Sequence, residues 1–380
     1  MKTYKFRIYP NKSHEKILFN QLNLCRFTYN QLLEELGRNK DRKHIQHHIL
    51  ELKEKYPELK QVYSKTLQYE CYRLFSNMKG LSQSKKKGNR IGRLRFKGRN
   101  WFKTIVYNQS GFKLTGTGKK YDILHLSKIG DIRLLQHRKI EGNIKGIIIK
   151  RKTDSWEAHL ITDSRYSIKK GEGIIGLDVG VISFLTDSKG NKTENPLCLS
   201  KSLDKLKRLQ QDLSRKKRGS NNRNKTRQSV AKLHEKVENQ RNDFLHKITT
   251  KIINNNKFVA IEKLNIRSMQ QSSWNARNIT DSSWGKFATL LKFKAESAGT
   301  EVVEVNPKNT TKQCHICGNL QNMPLWQRRY ECHNCGTSTD RDTNSAIVIL
   351  NRALEQGCAE KIVSSLKHKA ITLNTGSVRL

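Results

Sequence analysis

Residues 173–186 read GIIGLDVGVISFLT, an apolar run broken by one acid, Asp178, with Gly176 and Gly180 on either side. The run reads as a strand. It is followed by DSKGNK, whose Gly190 marks a turn, and by further extended chain. Leu203, Leu206, Leu209 and Leu213 then mark one amphipathic helix. Val230, Leu233, Val237, Phe244, Leu245, Ile248 and Ile252 mark a second. The intervening SRKKRGSNNRNKTR is too polar and basic for a core. A strand, FVAIEKL, comes next, then a polar stretch with Trp274 and Trp284, a helix near Lys286 to Ala298 and a strand at Glu301 to Asn306. Alternation of this kind indicates an α/β domain.

An acid inside such a strand is costly to bury unless it is paired or binds a metal. The flanking glycines allow backbone or ligand to come close. Glu262 repeats the pattern at the end of FVAIEKL, and Asp342 sits in DRDTNSAIVILNRAL at an N-cap-like position just before a helix. Any one of these suits a cap or an ion-paired acid. Three of them in a strongly basic chain suit carboxylates that converge on hard divalent cations such as Mg²⁺.

A second metal-type pattern is closed and soft. Cys314 and Cys317 form one CxxC, Cys332 and Cys335 another, with fourteen residues between and a glycine, Gly318 or Gly336, directly after each. Two such hooks give tetrahedral thiolate coordination of one structural Zn²⁺. A redox pair and an iron–sulfur site are the alternatives. His315 and His333 read as solvent-facing rather than as ligands, and Cys25, Cys71, Cys198 and Cys358 as buried or inert thiols.

The first 165 residues have another rhythm. A short strand at Thr3 to Ile8 leads through Pro10-Asn11-Lys12-Ser13, a turn and cap signal, into a helix carrying Ile17, Leu18, Leu22 and Leu24. Leu67, Cys71, Leu74 and Met78 mark another helix. Then KTIVYNQ, GFKLTG, YDILHLS, DIRLLQ, GIIIKRK and SWEAHLIT read as successive short strands of an antiparallel barrel or sandwich. The strand at Thr3 could join that sheet, making the helices an insertion. Before the barrel, residues 79–99 form a basic run, KGLSQSKKKGNRIGRLRFKGR, followed by Trp101, Phe102 and Tyr107. Cations interleaved with aromatics suit phosphate contacts with base stacking; a solvated loop is the plainer reading. Lys85, Lys86, Lys87, Arg93, Arg95, Lys97 and Arg99 are the candidate contacts, with Tyr107, Asn108 and Gln109 added by their position after the run.

The whole chain supports a polyanionic partner. Its 380 residues carry 74 Lys plus Arg against 33 Asp plus Glu, a net charge of +41. Nucleic acid fits, because each neutralised phosphate releases a counterion. No apolar run approaches the roughly 20 residues that span a bilayer, and the start lacks a signal peptide's apolar core, so no membrane partner and a cytoplasmic location are expected. Eight dilute cysteines, four in metal spacing, fit a reducing compartment.

In order, GLDVG, FVAIEKLNIRSM, TTKQCHICG, YECHNCG and TDRDTNSA resemble the TnpB (OrfB) proteins of insertion sequences, RNA-guided DNA nucleases related to the compact type V CRISPR effectors. YKFRIYPNKSHEKILFNQLNLCRFTYNQLLEE and RLRFKGRNWFKTIVYNQSGFKL resemble the family's front end, so the likeness runs from about residue 1 to 355. It implies an α/β plus β-barrel architecture. A wedge-type β-barrel (1–12 and 95–170) would hold a helical recognition insertion with the basic segment (13–94). A RuvC (RNase H-like) nuclease domain would follow in two parts, 171–310 with a helical insertion and 340–358. A zinc finger (311–339) would lie between them, and a tail (359–380) after them. Asp178, Glu262 and Asp342 match the catalytic acids, with Asp340 the near alternative to the third, and the four cysteines match the zinc ligands. Ser345 stands where the family more usually has Ala. The resemblance further implies two Mg²⁺ ions, a guide RNA from the element, and double-stranded target DNA cut beside a short flanking motif. A CRISPR-type effector, a guided repressor without cleavage and a DNA-joining transposase are the rival readings.

Overall fold

The computed structural model describes residues 1–118, 120–164, 171–271, 276–324 and 326–358. The expected tail at 359–380 and Trp274 lie outside them. The chain divides into two compact units, Met1–Arg165 and Tyr166–Leu380.

In the first unit, KTYKFRIY forms β1 (Lys2–Tyr9), and its alternation sends Tyr4, Phe6 and Ile8 inward. Asn11 then caps α1 (Lys12–Leu36) by accepting from the His14 N–H. Asp41 caps α2 (Arg42–Lys55) in the same way through His44, and α3 (Ser64–Lys86) completes the insertion. Six strands follow: β2 (Thr104–Asn108), β3 (Phe112–Thr115), β4 (Asp122–Leu126), β5 (Gly130–Leu135), β6 (Ile144–Arg151) and β7 (Trp156–Thr162). With β1 they make one antiparallel sheet, ordered β2-β6-β7-β1-β5-β4-β3, that nearly closes into a barrel. β1 sits at its centre, paired with β7 and β5, so the helices are an insertion between two strands of one sheet. The apolar faces of α1–α3 share a single core with the barrel; Leu18, Leu22, Leu67, Cys71 and Leu74 lie in it. The basic run is not all loop. α3 continues through Lys86, with Lys87 as its C-cap, because nothing before Gly88 interrupts the helix.

The second unit is a three-layer α/β fold. Residues 173–186 are two strands rather than one: β8 (Gly173–Val179) turns back at Gly180 into β9 (Ser183–Asp187). The Gly180 N–H reaches the Phe184 carbonyl at 3.3 Å, and a Cβ on Gly180 would meet the Ser183 carbonyl oxygen at 2.8 Å. Gly180 therefore makes the hairpin possible. β9 pairs with β10 (Lys192–Glu194) around Gly190, which has φ +84°. α4 (Leu203–Arg215) and α5 (Asn221–Asn255) come next. Ser220 caps α5, so half of the basic stretch expected to separate the helices belongs to α5. β11 (Asn256–Glu262), α6 (Ile266–Gln271), α7 (Ala276–Ser282), α8 (Trp284–Ala298) and β12 (Glu301–Val305) follow. A two-stranded ribbon, β13 (Arg329–Glu331) with β14 (Ser338–Asp340), leads into α9 (Arg341–Ala353).

The sheet runs β10-β9-β8-β11-β12, with β8, β11 and β12 parallel. This is the α/β half of the expected architecture. Side-chain alternation divides its faces. Ile175, Leu177, Val259 and Ile261 pack with Leu245, Phe287 and Leu291 of α5 and α8. Phe258, Ala260 and Val305 pack with Ile349 and Ala353 of α9. Gly176 lies on the α9 face, where a Cβ would come to 2.1 Å from the Ala346 carbonyl oxygen and 2.8 Å from the Leu350 Cβ. Only glycine lets helix and strand approach this closely.

Ser345 is fully buried in that packing, and its hydroxyl has no hydrogen-bond partner. Gly176→Ala is therefore expected to destabilise the chain by about 1–3 kcal/mol through overpacking. Ser345→Ala removes an unsatisfied hydroxyl and should leave stability unchanged or raise it by up to about 1 kcal/mol. Thermal melting of Gly176→Ala should fall while that of Ser345→Ala holds or rises; equal falls would contradict this packing.

Candidate functional site

Asp178 is the penultimate residue of β8 and Glu262 the last of β11. The two strands are adjacent and parallel, with Ile261 opposite Leu177, so both acids stand at the carboxyl edge of the sheet. Such edges are where open α/β sheets bind ligands. Parity does the rest. Asp178 follows Gly176 by two residues and Glu262 follows Ala260 by two, so both face α9. Asp342 is in the first turn of α9, the helix that Gly176 admits.

All three acids are half-buried. Burial pushes the Asp178 carboxyl well above its ordinary range, and the charges of Glu262, Asp342 and Asp340 push the same way, opposed by Arg341. Burial also raises Glu262, against a hydrogen bond from Thr310 and the charge of Arg352. A buried acid such as Asp178 with further acids beside it is placed to receive positive charge. Two neighbours restrain it. The Thr310 hydroxyl donates to Glu262 Oε1 at 2.5 Å, and the Arg341 guanidinium meets Asp342 Oδ1 at 3.2 Å.

Asp340 has a different task. It, not Asp342, is the N-cap of α9, accepting from the Asp342 and Thr343 N–H groups at 3.1 Å. Extended backbone at Asp340 (φ −65°, ψ 137°) makes it the residue outside the helix, while Asp342 already lies within the first turn. Burial works against the charged form of Asp340. Lys192 at 2.7 Å and the Thr343 groups outweigh it and hold the carboxyl below its ordinary value.

The four cysteines form the only group of three or more His, Cys, Asp or Glu ligand atoms, among the described residues, lying within 4.8 Å of one another. Cys314 and Cys335 sulfurs are 3.7 Å apart, Cys317 and Cys332 sulfurs 3.5 Å. A tetrahedral ion with bonds of about 2.3 Å requires about 3.8 Å between sulfurs, so the set is compatible with zinc. The two knuckles are built alike. In each, the glycine N–H returns to the carbonyl of the first cysteine (Gly318 to Cys314, 3.0 Å; Gly336 to Cys332, 2.9 Å), and both glycines have φ +72°. Hydrogen bonds from Thr337 bring the Cys335 thiol down to about 6, whereas burial lifts Cys314 to about 11. His333 is exposed, but His315 is not turned to solvent. Its N–H and Nδ1 both donate to Asn344 Oδ1, at 3.1 and 2.8 Å.

In the first unit, Lys85, Lys86, Lys87, Arg93, Arg95 and Arg99 are exposed and Lys97 half-buried. The run is strapped onto α1: Asn30 exchanges two hydrogen bonds with the Lys97 backbone, and Arg26 donates to the Lys97 carbonyl. Phe96 and Trp101 are exposed, with the Lys97 ammonium 5.5 Å from the Trp101 ring centre. Tyr107 is a correction to the candidate contacts. It lies wholly inside the barrel, stacked on Tyr63, with its hydroxyl donating to the Ser127 carbonyl, because alternation in β2 points it inward. Phe102 is likewise buried. Asn108 is half-buried with an unpartnered Oδ1, and Gln109 is exposed.

Sequence reasoning missed Thr310, Arg341, Lys192 and the pairing of Asn344 with His315. TTKQCHICG contains both Thr310 and His315, but nothing in its spacing tells which side chains they meet.

Three family models match in order along the chain. A helix-turn-helix domain matches residues 1–41, the OrfB model described as "Probable transposase" matches 163–273, and the Cas12f1-like TNB domain matches 284–349. A Streptomyces pristinaespiralis protein named "Putative RNA-guided DNA endonuclease" is 36% identical over 47% of this chain; the match spans 45% of that protein. The InsQ protein of Escherichia coli K12, which carries the same description, is 28% identical over 92% of each chain. Among solved structures, a Cas12f1 chain determined by cryo-EM with its sgRNA and target DNA superposes with a TM-score of 0.61. It is 18% identical and covers 92% of this chain and 98% of that one, a likeness of fold.

The two aspartates flanking Arg341 should separate in stability measurements. Asp340→Ala removes the α9 cap and is expected to cost about 1 kcal/mol. Asp178→Asn should instead raise the melting temperature at neutral pH without added divalent cation. The folded-state carboxyl of Asp178 lies above its unfolded value, so its charge disfavours the fold above that unfolded value. The advantage of Asp178→Asn should shrink as pH falls towards the ordinary carboxylate range. A variant that melts below wild type at pH 7 would refute the cost of burying that charge.

Proposed function

We infer, for a chain that belongs to the TnpB (OrfB) family of insertion-sequence proteins, that it is an RNA-guided DNA endonuclease whose RuvC-type site is Asp178, Glu262 and Asp342. The observation that supports this reading is that Asp178 and Glu262 stand on one face and at one edge of an α/β sheet, with the charges of Glu262 and Asp342 both felt at Asp178, in a chain of net charge +41. Excess cationic charge serves a polyanion, and a cluster of acids within it serves the cations that hydrolyse one.

The three carboxylates would hold the divalent cations. Bound there, Mg²⁺ ions would activate the attacking water and stabilise the leaving 3′ oxygen of an in-line displacement, giving 5′-phosphate and 3′-hydroxyl ends. The chain's own contribution is position. The parallel pairing of β8 and β11 sets the spacing of two acids, and the Gly176 contact sets the third. Asp340 holds the first turn of α9 by its backbone, leaving Asp342 free of capping. The Cys₄ set would hold zinc as a structural site, since four thiolates leave no open position.

Recognition divides between protein and RNA. An RNA from the element would lie against the cationic surface and pair with one DNA strand, while the protein reads a short duplex motif beside the target. The exposed strap from Lys85 to Arg99, with Phe96 and Trp101, offers phosphate contacts and stacking faces in one segment.

Asp178→Ala is expected to abolish Mg²⁺-dependent cleavage of a matched target while leaving DNA binding largely intact, and Glu262→Ala and Asp342→Ala should do the same. Asp340→Ala should keep measurable cleavage, because the cap is not a ligand. Cleavage by Asp178→Ala at the wild-type rate, with binding measured alongside, would defeat the assignment.

A further inference from the structure

The loop joining β12 to the first knuckle, residues 306–315, touches both the acids and the cysteines. At its middle, Thr310 is buried and spends its hydroxyl hydrogen on Glu262 Oε1 at 2.5 Å. The backbone shapes the loop for this contact: Asn309 is in the left-handed region at φ +62°, and its carbonyl accepts from the Lys312 and Gln313 N–H groups.

At its far end the loop is bolted to the helix that carries Asp342. Asn344 is fully buried two residues after that acid. Its Nδ2 donates to the Gln313 carbonyl at 2.7 Å, and its Oδ1 accepts both His315 donors. Arg352 adds bonds to Gln313 Oε1 at 2.6 Å and to the Lys308 carbonyl at 2.7 Å. Cys314 lies between the two residues that Asn344 grips.

We propose that this loop is a yoke between the Cys₄ site and the acids, with Thr310 and Asn344 as positioning residues. Thr310 fixes the carboxylate of Glu262. Asn344 fixes the first turn of α9, and so Asp342, relative to the first knuckle. The yoke rests on the reading that these acids hold divalent cations, and adds that their spacing is set from the zinc side of the fold. A hydroxyl donating to one carboxylate oxygen locks one rotamer of that carboxylate and so fixes the direction of the other oxygen. Groups that orient metal ligands in this way change metal affinity by about 10–100-fold when removed.

The test is Mn²⁺ binding by the full chain, followed by electron paramagnetic resonance, with zinc content and melting temperature measured on each protein. Wild type should bind Mn²⁺ at sites that Asp178→Ala abolishes. Thr310→Val should bind it about 10–100-fold more weakly while keeping one zinc per chain, and Thr310→Ser, which retains the hydroxyl, should return to near wild-type affinity. His315→Ala, which cuts the side-chain bond to Asn344 but spares the backbone bond, should weaken Mn²⁺ although it is no ligand. A merely structural role would lower melting without moving Mn²⁺ affinity. Unchanged affinity in Thr310→Val and His315→Ala overturns the yoke and leaves the acid assignment standing. A wild type without Mn²⁺ sites sensitive to Asp178→Ala overturns the metal reading itself, and the yoke with it.

Discussion

The contact of α9 with β8 across Gly176 governs the second unit. Helix and strand approach so closely that no Cβ fits between them, and this brings the first turn of α9 to the carboxyl edge of the sheet. Asp178 and Glu262 are fixed there by strand pairing alone, since neighbouring parallel strands in register carry them. Asp342 comes from a distant part of the chain and reaches them only because the helix lies flat. The small residues of α9, Ser345 and Ala346, serve the same end, with the unpaired Ser345 hydroxyl as a cost of that packing.

Holding three acids together disfavours the metal-free fold, and the surroundings temper this without abolishing it. Arg341 lies against Asp342, Thr310 donates to Glu262, and Asp340 is drawn away into capping and its contact with Lys192. Burial, and the residual repulsion of its neighbours after it, still raise the proton affinity of Asp178. Sites of this kind trade stability for function. The soft Cys₄ set and the hard carboxylate set are separated by donor chemistry, so one chain can present thiolates to zinc and oxygens to a harder cation without exchange between them.

Much of this was legible in the residues. Alternation in KTYKFRIY gave β1 and its inward face, and the six later strands appear where their turn residues bound them. An acid two residues beyond Gly176 and one ending FVAIE pointed to the candidate site, because burial of a carboxylate demands a reason. The misreadings share a cause. The hairpin at Gly180 depends on a close backbone approach, and the early start of α5 and the capping role of Asp340 each depend on one residue's backbone angles; periodicity reports none of these. Tyr107 was misjudged because position after a basic run says nothing of which way a strand residue points. His315 and Thr310 found their partners through long-range folding: Asn344 is 29 residues away and Glu262 is 48. No local pattern encodes such meetings.

Guidance by RNA is the central claim, and one measurement addresses it directly. The full chain is expressed with RNA from the element's flanking sequence in which one segment has been replaced by a complement to a chosen DNA, and the cut sites are mapped. The account predicts that cleavage moves to the chosen DNA, requires the copurified RNA and disappears in Asp178→Ala. Cleavage that keeps its sites whatever the RNA, and persists in RNA-free protein, would contradict it and leave an unguided nuclease.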